Sequence, residues 1–214
     1  MENLQFLTDN TLYLLELKQD ILFHKIPKGK IQYYIEGARS MGRECSREYK
    51  GKNIRSILEK EGISVIVEKN SKGKSFGLRG EIVFSKKEKK IVIYEDSMEQ
   101  LHASLKKYYK NIGLKKAYDI HLAHEFYHYL EYKNGKGTNE LLDKIESIKL
   151  GPYTRKASIL KTREIAAHSF CKEFLGLPFN PLIIDYIYLI ETNETSIDAI
   201  KACICDIHYD SDKS

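Results

Sequence analysis

Apolar residues recur at helical spacing over residues 11–23, just after the capping triplet Thr8-Asp9-Asn10, and Pro27-Lys28-Gly29 closes that stretch. Residues 1–32 are therefore expected to form an N-terminal helical extension, with residues 33–214 forming one globular domain. A second helix is predicted over about 32–49. A short one follows Asn53, whose side chain suits an N-cap, and Gly62 stops it. The period then shortens. Residues 63–69 are a β-branched run, and residues 81–85 and 90–96 flank a charged turn, which signals a hairpin. About three strands in a small, mostly antiparallel sheet are expected.

From residue 97 the helical spacing returns. Ser97 with Gln100 reads as a capping box opening a helix over about 98–110, and the next spans about 114–132. Further helices are predicted near 139–148, over about 155–175, from Asn180-Pro181 to about 190, and after Thr195, with Asp198 at the box position. The connection over 133–155 is long for a simple link and suggests a lid or a substrate-docking loop. The class is α+β, mainly helical with one small sheet.

Composition narrows the setting. The chain has 214 residues, 42% hydrophobic and 30% charged, as in soluble globular proteins. No apolar run approaches the ~20 residues of a membrane helix. The strongest, residues 181–190, carries Asp185. The start, MENLQFLTDN, lacks the basic and apolar regions of a secretory signal. With four cysteines (Cys45, Cys171, Cys203, Cys205), this points to a reducing, cytoplasmic location. The net charge of +5 is compatible with nucleic acid or an acidic partner and demands neither. However, the lysine clusters at 86–90 and 106–110 read as a solvated turn and an exposed helix face. No nucleic-acid-binding signature is present, so direct nucleic-acid binding is not expected.

The chemistry concentrates in His121-Leu-Ala-His124-Glu125-Phe-Tyr-His128-Tyr-Leu, which contains H-E-x-x-H. On a helix, His124 and His128 stand one above the other and can share one zinc ion. Glu125 is then placed to hold a water at the metal's open position and to act as general base. Catalytic zinc usually takes a third protein ligand. Glu131 shares the histidines' face, but it lies ~10 Å along the axis from His124, too far to join both on one ion. Glu164 fits better: it falls on a separate predicted helix, with small Ala166 and Ala167 beside it to permit close helix approach. His168, one turn on, could take its place or stand in the second shell, and His121, one turn before His124, could be second-shell or substrate-facing. Glu140, in Gly137-Thr138-Asn139-Glu140, is a weaker rival. Cys203-Ile-Cys205 points to opposite sides of a helix and suggests no metal site.

These residues resemble the ImmA/IrrE-type metallopeptidases, zinc proteases with a zincin-like fold common in bacteria and their mobile elements. Three segments carry the resemblance in order. They are the helix before Gly62-Ile63-Ser64-Val65, the stretch Leu122-Ala123-His124-Glu125-Phe-Tyr-His128, and Glu164-Ile-Ala-Ala167-His-Ser-Phe170 running on to Leu175-Gly-Leu-Pro178. Together they span roughly residues 33–180. The resemblance implies site-specific cleavage of an intracellular protein, in such families a repressor-like DNA-binding regulator. It also implies His124, His128 and Glu164 as zinc ligands and Glu125 as acid/base. Two positions depart from the pattern: Tyr127 stands where the family usually has glycine, and Ala166 where it often has a second acid. Tyr127 is a candidate to narrow the cleft or hold substrate, and Tyr127 and Tyr153 are candidate oxyanion donors. The competing class is a non-enzymatic, zincin-like regulator that binds a partner and carries a vestigial or structural metal site.

Overall fold

The computed structural model describes residues 4–69, 80–85 and 87–212. Nine helices and five strands occur among them, in an α+β arrangement. The helices are α1 (Asp9–Lys18), α2 (Ile31–Ser46), α3 (Ile54–Lys60), α4 (Glu95–Tyr108), α5 (Leu114–Asn134), α6 (Thr138–Leu141), α7 (Lys161–Leu175), α8 (Leu182–Glu191) and α9 (Ile197–Asp212). The strands are β1 (Ser64–Glu68), β2 (Gly80–Phe84), β3 (Lys89–Tyr94), β4 (Ile145–Leu150) and β5 (Tyr153–Ala157). No described helix is long and apolar enough to cross a membrane.

Several local signals act as the side-chain chemistry predicts. The Thr8 hydroxyl accepts from the Thr11 amide, and Asn53 Oδ1 accepts from the amides of Arg55 and Ser56. Asn180 Oδ1 accepts from the Leu182 amide just before α8, but the N-cap position is Pro181 and the helix starts one residue later than expected. Two further starts differ. Helix α4 begins at Glu95, before Ser97, because Tyr94 is the N-cap and no side chain caps it. At α9 the capping oxygen belongs to Ser196, which accepts from the Ala199 amide.

The three-stranded sheet has the order β1-β3-β2. The β2–β3 pairing is antiparallel, but β1 lies parallel to β3, with Ser64 opposite Lys90 and Glu68 opposite Tyr94. Strand β3 takes the centre because it is the most apolar: Ile91, Ile93 and Tyr94 are fully buried. The turn-rich stretch 70–77 lies outside the described residues, as does Lys86 of the charged turn.

The larger correction lies at 139–157. The helix expected over 139–148 is only the single turn α6, and the helix expected from 155 begins at Lys161. Between them β4 and β5 form a second, antiparallel sheet, with Leu150 opposite Tyr153 across a Gly151-Pro152 turn. Ile148 and Leu150 stand two apart as in a strand, Ile145 and Ile148 three apart as in a helix, and the Gly-Pro pair before YTRKA makes a hairpin turn rather than a simple helix break.

Helix α5 is central. Leu122, Ala123, Phe126, Tyr127, Tyr129 and Leu130 are all buried and cover most of its circumference, so only a narrow strip of the helix is left outside the core. Phe126 belongs to an aromatic cluster with Tyr49 (ring centroids 5.1 Å apart) and Phe170 (6.2 Å), which fastens α5 to α7. Helix α1 shares this core through Leu12, Tyr13, Leu15 and Leu17. It also holds the start of α7: Glu16 pairs with Lys161 Nζ at 2.7 Å, and Asp20 Oδ2 accepts from the Lys161 amide at 2.9 Å.

Helices α2 and α7 meet at small residues. A Cβ on Gly42 would sit 2.1 Å from the Ala166 carbonyl oxygen and 2.9 Å from the Phe170 nitrogen. Both obstacles are backbone, so neither can rotate away. Gly42→Ala is therefore expected to push α2 off α7 despite alanine's better helix propensity, with a net loss of about 1–2 kcal/mol in stability, measured by urea denaturation.

Candidate metal centre

One strip of α5 is not covered by core. His121, His124 and Glu125 line a cleft of about 730 Å³ there, together with Glu164 and His168 of α7. The α8 residues Leu182, Asp185 and Leu189 also line it. At one end the first residue of β2 presses in: a Cβ on Gly80 would stand 2.6 Å from His121 Nε2 and 2.5 Å from the Val92 carbonyl oxygen. Only glycine lets the strand come this close to the cleft.

His124 Nε2 and His128 Nε2 are 3.1 Å apart. Glu164 Oε2 lies 3.1 Å from His124 Nε2, and Glu164 Oε1 lies 3.5 Å from His128 Nε2. His124, His128 and Glu164 thus form a group that could hold a metal ion, their ligating atoms all lying within 4.8 Å of one another. Donors bound tetrahedrally at ~2.0–2.1 Å stand ~3.3 Å from each other, so these separations fit one ion without rearrangement. Helix geometry explains the histidine pair, and the packing of α7 across α5 supplies the carboxylate.

Outer contacts orient the donors. His128 Nδ1 donates to Glu131 Oε2 at 2.9 Å, which leaves the Nε2 lone pair for a metal. Glu131 is buried and held from two further sides: it accepts from Arg163 Nε at 2.9 Å and from the Thr138 amide at 2.7 Å. One carboxylate therefore ties α5, α6 and α7 together behind the metal-binding group. This is a site residue that the sequence reading missed. Glu131 fails as a ligand on axial distance, yet its spacing of three from His128 is the signal for an orienting partner.

Electrostatics matches this geometry. Burial by itself would lower the His128 pKa, but the hydrogen bonds with Glu131 and Glu164 outweigh it and raise the value to about 10. Burial would raise Glu164, yet His124 and His128 hold it far below the usual carboxylate range. Glu131 is likewise lowered: burial opposes ionisation, and the His128 and Thr138 contacts overcome it. These contacts favour a charged His128 beside two charged carboxylates.

The other expected positions divide. His168 lines the cleft, its ring 4.6 Å from that of His124. His121 also lines it, with Nε2 3.7 Å from Glu125 Oε1. Tyr127, expected as second-shell or substrate-facing, is turned away into the core, where its hydroxyl bonds Thr138 Oγ1 at 2.8 Å. It neighbours His128 in sequence but sits a helical step round from the cleft strip. Tyr153 lies exposed on β5, so neither tyrosine lines the cleft. Glu140 is used locally, accepting from the Gly137 amide at 2.9 Å.

Glu131→Gln removes the charge that fixes His128 and leaves Arg163 unpaired. It is expected to weaken metal binding by about 10–100-fold, measured by competition with a chromogenic chelator. No protein-family model matches the chain, and no match was found among curated proteins or solved structures.

Proposed function

We propose that the protein is a zinc-dependent endopeptidase acting on an intracellular protein substrate, with a repressor-like regulator as the kind of substrate its resemblance to ImmA/IrrE-type enzymes implies. The supporting observation is the convergence of His124, His128 and Glu164 beside Glu125 in one cleft. Two imidazoles and one carboxylate form a donor set typical of catalytic zinc, which keeps a further position open. A zinc ion bound there would polarise the scissile carbonyl and make water more acidic.

The chain's own groups account for the remaining steps. Glu125 accepts the proton of the attacking water and delivers it to the leaving amine. His124, His128 and Glu164 keep the donor set in place, and Glu131 fixes the ring of His128. The cleft has the size of a substrate groove, and α8 contributes to its lining. A purely binding scaffold has no use for a carboxylate placed next to the metal ligands in an open cleft.

The test is metal stoichiometry followed by hydrolysis. Elemental analysis of the purified protein should find about one zinc per chain. Absence of transition metal, even after zinc addition near neutral pH, would refute the reading. A bound zinc with no cleavage of any protein in a proteome-wide digest would favour the scaffold.

A further inference from the structure

Five of the eleven exposed large apolar side chains among the described residues lie between positions 141 and 160: Leu141, Ile148, Leu150, Tyr153 and Leu160. Three of them form a pattern on the β4–β5 ribbon. Ile148 is opposite Arg155, and Leu150 is opposite Tyr153. Cross-strand partners share a face, as do residues two apart. Ile148, Leu150, Tyr153 and Arg155 therefore form one face, with Ile148 45%, Leu150 68% and Tyr153 62% exposed. The other face carries Lys149, Thr154 and Lys156, with Glu146 opposite Lys156 at the base of the ribbon, beyond a register shift between Glu146 and Ile148. Across the two strands there are three cations, Lys149, Arg155 and Lys156, and one acid, Glu146; none of the three cations makes a salt bridge among the described residues.

The ribbon is anchored at its base and bare beyond it. Ile145 is buried, the Ser147 hydroxyl donates to the Arg155 carbonyl at 3.0 Å, and Lys25 Nζ donates to the Ser147 carbonyl. Tyr34 donates to the Asp143 carbonyl at 3.0 Å. From Ile148 to Lys156 every residue is exposed. A two-stranded sheet also leaves a row of unpaired backbone groups along each edge. A bare apolar face carrying tyrosine and arginine has the composition of a protein-binding surface.

We infer that this ribbon docks an extended segment of the protein substrate, added as a third strand, in which apolar and acidic residues alternate. Alternation follows from the two faces. An added strand presents every second side chain to Ile148, Leu150 and Tyr153 and the intervening ones to Lys149 and Lys156. Position also supports it: β5 ends at Ala157, and α7 begins at Lys161, which lines the cleft, and carries Glu164 one turn later. A segment held on the ribbon is thereby tethered beside the cleft. The identification of the bound segment as substrate rests on the endopeptidase reading; the surface itself does not.

The test uses the full chain carrying Glu125→Gln, so that nothing is cleaved, and a fluorescein-labelled ten-residue peptide alternating valine and glutamate, followed by anisotropy. Saturable binding is expected. It should weaken at least tenfold in Lys149→Glu/Lys156→Glu and at least tenfold in Leu150→Ser/Tyr153→Ser, and a valine–lysine peptide should not bind. Circular dichroism and thermal melts of the two double variants establish that they fold. Binding unaffected by both pairs of substitutions, or no binding at millimolar peptide, would overturn the proposal. So would ribbon-dependent binding of phosphatidylglycerol vesicles or duplex DNA in place of the peptide, or a ribbon-dependent dimer in sedimentation. The readout needs neither metal nor hydrolysis. A chain without zinc that still captures the peptide sinks the protease and keeps the dock, and a zinc protease indifferent to these variants does the reverse.

Discussion

Replacing Glu125 with glutamine is expected to lower hydrolysis of a cognate protein by about 10²–10⁴-fold or more while leaving metal content and melting temperature unchanged. Glutamine keeps the size and polarity of the side chain, so the cleft is preserved. Its amide cannot accept the proton that an attacking water must lose, nor return one to the leaving amine. The residue makes no direct contribution to the metal-binding group, which consists of His124, His128 and Glu164. On α5 its carboxylate lies 3.7 Å from His121 Nε2, a contact too long to hold the fold together. Cleavage by the purified variant at near wild-type rate would exclude Glu125 as the general base. The measurement is a time course on the substrate, with zinc quantified in the same sample.

The second large effect concerns the metal. His128→Ala and Glu164→Ala should each reduce zinc affinity by more than the ~10–100-fold typical of an outer partner, since each removes a donor rather than its support. Acid should act in the same direction. With its pKa raised to about 10, His128 is protonated at pH 7 in the metal-free protein, and its proton must leave before Nε2 can bind a metal. Affinity should therefore rise with pH through the neutral range, by up to tenfold per unit, and flatten as pH approaches 10. About one proton should be released per ion bound near pH 7. Titration calorimetry in buffers of differing ionisation enthalpy measures that number directly. A pH-independent affinity between 6 and 8 would show that no such proton is displaced. In Glu131→Gln the proton is held less tightly, so the pH dependence should become shallower together with the loss of affinity.

The histidine pair was legible without coordinates because its geometry is local. Four residues make just over one helical turn, so His124 and His128 share a face wherever the helix packs. Glu125 follows by adjacency. The α+β class was legible for a similar reason, since the change from helical spacing to the β-branched runs near residues 63–69 and 90–96 belongs to the chain itself. Caps such as Thr8 and Asn53 were readable because their partners lie two or three residues away.

Features that depend on distant residues were readable only as expectations, or not at all. Glu164 could be ranked above its rivals, but only the packing of α7 across α5 brings its carboxylate to within 3.1 Å of His124. Glu131 shows the same limit: its spacing from His128 was visible, whereas its use as an orienting carboxylate depends on Arg163 and Thr138 arriving from two other helices. Tyr127 invited a role in the cleft by its place in the motif, but the core beneath α5 claims it. The β4–β5 ribbon was misread because a short alternating run of lysines, serine and isoleucines carries both periods at once, and only pairing with a second strand decides between them. Thus the chain alone determined the chemical identity of the donors and the helix that bears two of them. Tertiary packing decided which carboxylate meets them and locks the one that steadies them, because Glu164 and the Arg163 and Thr138 partners of Glu131 come from other helices; strand pairing decided that residues 145–157 form a ribbon.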